Sequence, residues 1–142
     1  MTNQYMQYAP DTQLIANLTK AINGEYSAIH CYEKLAGQTN NSNIKKQIEE
    51  IRQDEMRHYQ TFSYIYQAIT GKQPTPKRTE KCPAQFLSGL HAAFLDEQKT
   101  VDFYHEVARN TVDPVIRDAF TQAAADEQNH AVWFLYFIQQ GK

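Results

Sequence analysis

A chain of 142 residues, 42% of them hydrophobic, is long enough for one domain with a substantial core. Its formal net charge of −2 leaves no basic excess, so neither nucleic acid nor an anionic membrane surface is an expected partner. No apolar run approaches the ~20 residues of a membrane span. The opening stretch, MTNQYMQYAPDTQ, has no basic patch followed by an apolar run, so no signal peptide is expected.

Four stretches carry apolar residues at helical spacing. The first runs through Leu14, Leu18, Ile22, Ile29 and Leu35, with Asp11 or Thr12 as the candidate cap. The second follows the turn TNNSN, runs through Ile44, Ile48, Ile51, Phe62, Ile65 and Ile69, and closes at Gly71. The third is expected to open near Pro83 and carries Leu87, Leu90, Phe94, Val101 and Val107. The fourth opens at Asp113-Pro114, a cap followed by a proline whose missing N–H the first turn does not need, and carries Ile116, Phe120, Ala123, Phe134 and Phe137. The first and last connections are short, which makes antiparallel neighbours. The middle one, GKQPTPKRTEKCP, spans about 43 Å at ~3.3 Å per residue, enough to run the length of a bundle. The expected fold is therefore all-α, a four-helix bundle of two antiparallel hairpins with a long crossover. Residues 1–142 divide into a tail (1–11), a first hairpin (12–70), the crossover (71–83) and a second hairpin (84–140).

Polar residues interrupt every apolar stripe. Glu25 lies between Ile22 and Ile29, Glu55 and His58 between Ile51 and Phe62, Glu97 between Phe94 and Val101, and Glu127 and His130 between Ala123 and Phe134. Buried carboxylates are costly unless they are paired or bind a metal. The interruptions also repeat: 55 − 25 = 30 and 127 − 97 = 30. A shift of 72 places Glu25 on Glu97, Tyr32 on Tyr104, Asp54 on Asp126, Glu55 on Glu127, His58 on His130 and Phe62 on Phe134, the mark of a duplicated helical hairpin. One Glu-x-x-His on a helix most often marks a solvated face. Two of them, each on a core-facing stripe with a partner Glu, do not fit that reading.

Glu and His at i and i+3 point the same way and can hold one ion together. Four Glu and two His form an oxygen-rich set suited to iron or manganese rather than to structural zinc. Four glutamates balance two divalent cations. One Glu from each of two helices and Glu-x-x-His from each of the other two is the known ligand pattern of ferritin-like di-iron and di-manganese bundles. Across a pseudo-twofold axis, Asp54 is expected to support His130, and Asp126 to support His58. Tyr32 and Tyr104, seven residues after Glu25 and Glu97, can reach a carboxylate of a neighbouring helix.

The stretches GEYSAIHCY (24–32) and DEMRH (54–58) resemble the first hairpin of rubrerythrins, within the ferritin-like superfamily. DEQNH (126–130) resembles the second Glu-x-x-His of rubrerythrins and bacterioferritins. The resemblance covers about residues 12–140. It implies Glu25, Glu55, His58, Glu97, Glu127 and His130 as catalytic ligands of two iron ions, with manganese as the alternative. It also implies an oxidoreductase that reduces hydrogen peroxide. Ferroxidase chemistry, or a structural stress protein with a relic site, are the alternatives. Two departures stand out. Rubrerythrins carry an extra Glu where this chain has Thr100, so its ligand set is the more symmetric, bacterioferritin-like one. The Cys-x-x-Cys pairs of a rubredoxin-like domain are missing from these residues, so an external electron donor, such as a rubredoxin-like protein, is expected.

Two further expectations concern the remaining features. The segment AVWFLYF (131–137) is apolar all round, and a homodimer is the expected cover. Cys31 and Cys82 lie 82 − 31 = 51 positions apart and form no disulfide framework, so a reducing, cytoplasmic setting is expected, with Cys31 a small core or interface residue.

Overall fold

A computed structural model describes residues 11–141 as four helices: α1 (Thr12–Ala36), α2 (Ser42–Thr70), α3 (Phe86–Arg109) and α4 (Pro114–Gln140). All but the last residue of the expected N-terminal tail lies outside the described residues. Three helices start on side-chain caps. Asp11 accepts from the Gln13 and Leu14 amides, Asn41 from Asn43 and Ile44, and Asp113 from Val115 and Ile116. Each satisfies donors that the first helical turn leaves without partners. α2 ends on Gly71, whose φ of 73° is left-handed and whose N–H bonds the Gln67 carbonyl at 2.8 Å. α3 begins at Phe86 instead of near Pro83, and its N-cap, Gln85, makes no side-chain capping bond. With no cap residue to mark the start, the sequence pattern placed this boundary too early. The crossover accordingly runs over 71–85. Leu87, expected on the apolar stripe of α3, is 53% exposed.

The core has two parts. At one end Leu18 and Ile22 of α1 meet Phe62 and Ile65 of α2, Tyr104 and Val107 of α3, and Ile116 and Phe120 of α4. At the other end Tyr32 and Leu35 meet Ile48, Ile51, Leu90, Phe134 and Phe137. The first part thus joins the N-terminal halves of α1 and α4 to the C-terminal halves of α2 and α3. α2 and α3 therefore run in the same direction, which obliges the crossover to travel back along the bundle. Duplicate positions pack alike: Phe62 lies 5.3 Å from Tyr104, and Phe134 lies 5.2 Å from Tyr32, between ring centroids. α1 and α3 approach closely at Gly89, where a Cβ would fall 2.7 Å from Leu35 Cδ1.

The crossover is strapped along α1. The Lys77 amide donates to Asn23 Oδ1 at 2.9 Å, the Thr79 amide to Ser27 Oγ at 2.8 Å, and Lys34 Nζ to the Cys82 carbonyl at 3.4 Å. Residues 23, 27, 31 and 34 of α1 recur about once per turn, so one face of the helix receives the whole strap. Residue 31 completes the series by a covalent bond: Cys31 and Cys82 form a disulfide with a Cα–Cα distance of 5.2 Å. This corrects the expectation of two separate cysteines. Pairing depends on the strap lying against α1, and a spacing of 51 residues carries no trace of that. The inference from unpaired cysteines to a reducing compartment loses its basis.

No helix among the described residues is long and apolar enough to cross a membrane. The all-apolar segment of α4 does leave Val132, Leu135 and Tyr136 exposed, while Phe134 and Phe137 face the core.

The cap at Asp113 is buried and holds two amides of α4, at 2.8 and 3.2 Å. Asp113→Ala is expected to cost about 1–2 kcal/mol. That should lower the thermal midpoint by roughly 4 °C per kcal/mol for a chain of this size. A midpoint equal to that of the unsubstituted protein would show that the carboxylate does not cap the helix.

Candidate metal centre

The six interrupting residues meet in one layer between the two parts of the core. Glu25, Glu55, Glu97, Glu127 and His130 are at most 2% exposed, and His58 is 7% exposed. Two overlapping groups form. Glu25, Glu55, His58 and Glu127 offer ligand atoms within 4.8 Å of one another, and so do Glu55, Glu97, Glu127 and His130. Glu55 and Glu127 belong to both groups. Each group also has its own Glu and its own His, related by the duplication.

Every one of the six presents one buried atom with no hydrogen-bond partner: Glu25 Oε1, Glu55 Oε1, His58 Nδ1, Glu97 Oε2, Glu127 Oε1 and His130 Nδ1. His58 Nδ1 is 3.2 Å from oxygens of Glu25, Glu55 and Glu127, and His130 Nδ1 is 3.3–3.5 Å from those of Glu55, Glu97 and Glu127. None of these contacts has hydrogen-bond geometry. Buried polar groups are almost always satisfied, so six orphaned atoms converging on one spot fit cations. The mix of carboxylate oxygen and imidazole nitrogen, with two shared glutamates, fits a pair of them.

The remaining polar atoms of the layer are held. His58 Nε2 faces Asp126 Oδ2 at 2.8 Å, and His130 Nε2 faces Asp54 Oδ2 at 2.7 Å. A carboxylate there keeps a proton on Nε2 and turns Nδ1 inward, where an ion can take the place of its proton. Arg57 in turn pairs with Asp54. Tyr32 donates its hydroxyl to Glu97 Oε1 at 2.5 Å, and Tyr104 donates to Glu25 Oε2 at 2.6 Å. Both links cross between α1 and α3, so each phenol orients the carboxylate of the helix opposite. Burial first, then the neighbouring carboxylates, push both phenols well above their ordinary range, so they remain donors.

Charge in this layer is strongly frustrated. Burial raises Glu55, and the charges of Glu127, Glu25 and Glu97 raise it further. Glu127 is raised by burial and then by Glu97 and Glu25. Burial opposes a charge on His58 and on His130, but the surrounding carboxylates outweigh it and raise both.

A cavity of about 210 Å³ opens onto this layer. Glu25, Glu55 and Glu127 line it, together with Thr79 and Glu80 of the crossover and Asp96 and Thr100 of α3. Thr100 spends its hydroxyl on the Asp96 carbonyl at 2.8 Å. Asp96 is pushed up to about 7 by burial and then by Glu97, Glu80 and Glu25. The sequence pattern missed Thr79, Glu80 and Asp96. Asp96 could have been noticed as a second acid beside Glu97, whereas Thr79 and Glu80 reach the cavity only through the path of the strap.

Four helices around paired Glu and Glu-x-x-His groups define a ferritin-like bundle with a carboxylate–histidine cluster compatible with a di-iron site. The family model of rubrerythrins matches residues 16–87 and 89–142, and the chain belongs to that family. It is 56% identical over 133 residues to the uncharacterized protein YhjR of Bacillus subtilis (strain 168), covering 94% of this chain and 92% of that one. Among solved structures, the bacterioferritin of Desulfovibrio desulfuricans superposes with a TM-score of 0.80 at 22% identity, covering 98% of this chain and 84% of that one. A hypothetical protein from Pyrococcus furiosus superposes with a TM-score of 0.78 at 18% identity, covering 91% and 90%. At these identities the two structures speak for the fold.

The raised groups set a pH dependence for the metal-free protein. Folded Glu55 and Glu127 hold protons above their ordinary value of 4.5, and His58 and His130 hold them above 6.5. The folded state then binds more protons than the unfolded state, so stability falls as pH rises. The thermal midpoint of chelator-treated protein should drop between about pH 5 and about pH 8. Added Fe(II) or Mn(II) should reverse the drop, because metals take the deprotonated ligands. A midpoint that climbs over this interval without metal would contradict the assignment.

Proposed function

We propose that this chain is a non-haem di-iron oxidoreductase that reduces hydrogen peroxide at the layer between the two core halves. The observation that carries the reading is the two overlapping ligand groups sharing Glu55 and Glu127. Glu25 and His58 would complete one ion's set, and Glu97 and His130 the other's. Two ferrous ions bound by these residues would supply the two electrons that peroxide needs to become water. The chain's own residues do the rest. Asp54 and Asp126 fix the imidazole tautomers, Tyr32 and Tyr104 hold the outer carboxylates, and the buried aromatic clusters keep bulk water from both ends. The cavity of about 210 Å³ admits a small oxidant to Glu25, Glu55 and Glu127.

Ferroxidase chemistry is the competing reading. Thr100, standing where rubrerythrins carry a further Glu, favours it by leaving a symmetric ligand set. Stoichiometry separates the two. Diferrous protein mixed anaerobically with peroxide should consume one peroxide per two irons and retain both. If many irons pass through each chain and leave as mineral, the peroxidase reading fails.

The sharing of Glu127 has its own test. Glu127→Ala should bind fewer than two irons per chain, measured by metal analysis after gel filtration. Retention of two ions by the folded variant would remove Glu127 from the ligand set.

A further inference from the structure

The disulfide lies close to the metal layer, and three observations separate it from a plain staple. The first is its position. Cys31 directly precedes Tyr32, whose hydroxyl donates to Glu97 at 2.5 Å. Cys31 also lies six residues beyond Glu25 on α1, about 9 Å along the helix axis. One side chain and one hydrogen bond therefore connect the sulfur pair to an expected iron ligand.

The second observation is access. Both cysteines are partly exposed, and with Tyr32, Lys81 and Asp96 they line a surface pocket of about 60 Å³. A thiol reagent can approach the bond from there.

The third is charge. Arg78 Nη2 lies 3.1 Å from Cys82 Sγ, and Lys34 Nζ binds the Cys82 carbonyl. Glu80 and Asp96 line the same pocket, but the charged group in contact with sulfur is the Arg78 cation, and the sulfur better stabilised as thiolate is the one that leaves. Moreover, the strap does not need the bond to stay in place. The Lys77 and Thr79 amides hold it on one side, and Gln38 Nε2, which donates to the Ala84 carbonyl at 2.9 Å, holds it on the other. An opened pair would remain in register to close again.

We propose that Cys31 and Cys82 form a redox-active dithiol–disulfide pair that passes electrons from an external dithiol reductant to the metal layer. The proposal rests on the di-iron reading above. In the first step a thiolate of the reductant attacks Cys31 Sγ, the S–S bond breaks, and Cys82 leaves as the thiolate beside Arg78. The reductant's second thiol then displaces Cys31 and the reductant departs as its own disulfide. In the return step the Cys31 thiol and the Cys82 thiolate lose two electrons and one proton as their S–S bond forms. Two ferric ions held by the layer would be the acceptors of the two electrons, and the proton goes to solvent.

The experiment uses the full chain and dithiothreitol as the dithiol. In metal-free protein, thiol trapping followed by mass spectrometry should show both cysteines reduced while the helical circular dichroism is unchanged. Reduced, diferrous protein freed of dithiothreitol is then given one equivalent of peroxide anaerobically. The expected end point is a closed disulfide with both irons ferrous and little ferric absorbance. The Cys31→Ser/Cys82→Ser variant, still holding two irons, should end diferric. Reduced metal-free protein should keep its thiols over the same interval. A disulfide that opens only on unfolding overturns the relay and leaves the di-iron reading intact. So does wild-type protein that ends diferric with both thiols present, or equally fast thiol loss without metal. Binding of fewer than two irons by wild-type protein instead overturns the di-iron reading, and the relay with it.

Discussion

Four glutamates share one buried layer, and the rest of the structure answers to their mutual repulsion. Carboxylates cannot be left bare in a core, because each must shed its hydration while facing the others' charge. Glu55 and Glu127 respond in the metal-free chain by holding protons above their ordinary range. Bound cations would relieve the same strain more completely, since they would also satisfy the six orphaned atoms. The apolar residues are consequently divided into two halves, with the Phe62–Phe120 and Phe134–Phe137 clusters packed on either side.

Symmetry distributes the support for this layer. Asp126 steadies His58 while Asp54 steadies His130, and Tyr104 holds Glu25 while Tyr32 holds Glu97. Each hairpin thus orients groups of the other. Neither hairpin could preorganise its buried glutamates and histidine alone, because the carboxylates and phenols that fix them arrive from across the interface. The Tyr–Phe pairs that recur on both sides give each phenol a rigid platform. Duplication of one helical hairpin accounts for all of these pairings at once.

The crossover is the element without a symmetric counterpart. It exists because α2 and α3 run in the same direction, and its route along α1 brings Thr79 and Glu80 to the cavity and Cys82 to Cys31. An internally symmetric centre therefore acquires one distinctive side, with an opening, a disulfide and a cluster of basic groups. Electron supply and oxidant access both fit that side more naturally than the opposite one, where α2 and α4 bury the two histidines behind their aspartates.

Local pattern was enough to reveal four helices, most of their caps and the six-residue layer. Caps act within three residues, and an interruption in an apolar stripe is visible one turn either way. The 72-residue repeat added the pairing of the halves, from which the Asp–His partners could be anticipated. The start of α3 is less legible because Gln85 makes no cap bond, and Leu87 falls on the apolar stripe yet is exposed because helical spacing cannot tell a covered turn from an open one. What only the tertiary structure decided is the path of the strap. The Cys31–Cys82 bond, the contribution of Glu80 to the cavity and the placement of Arg78 beside sulfur all depend on which helix face an irregular segment lies against. Such a segment has no period to read, and its position is selected by hydrogen bonds to residues some fifty positions away.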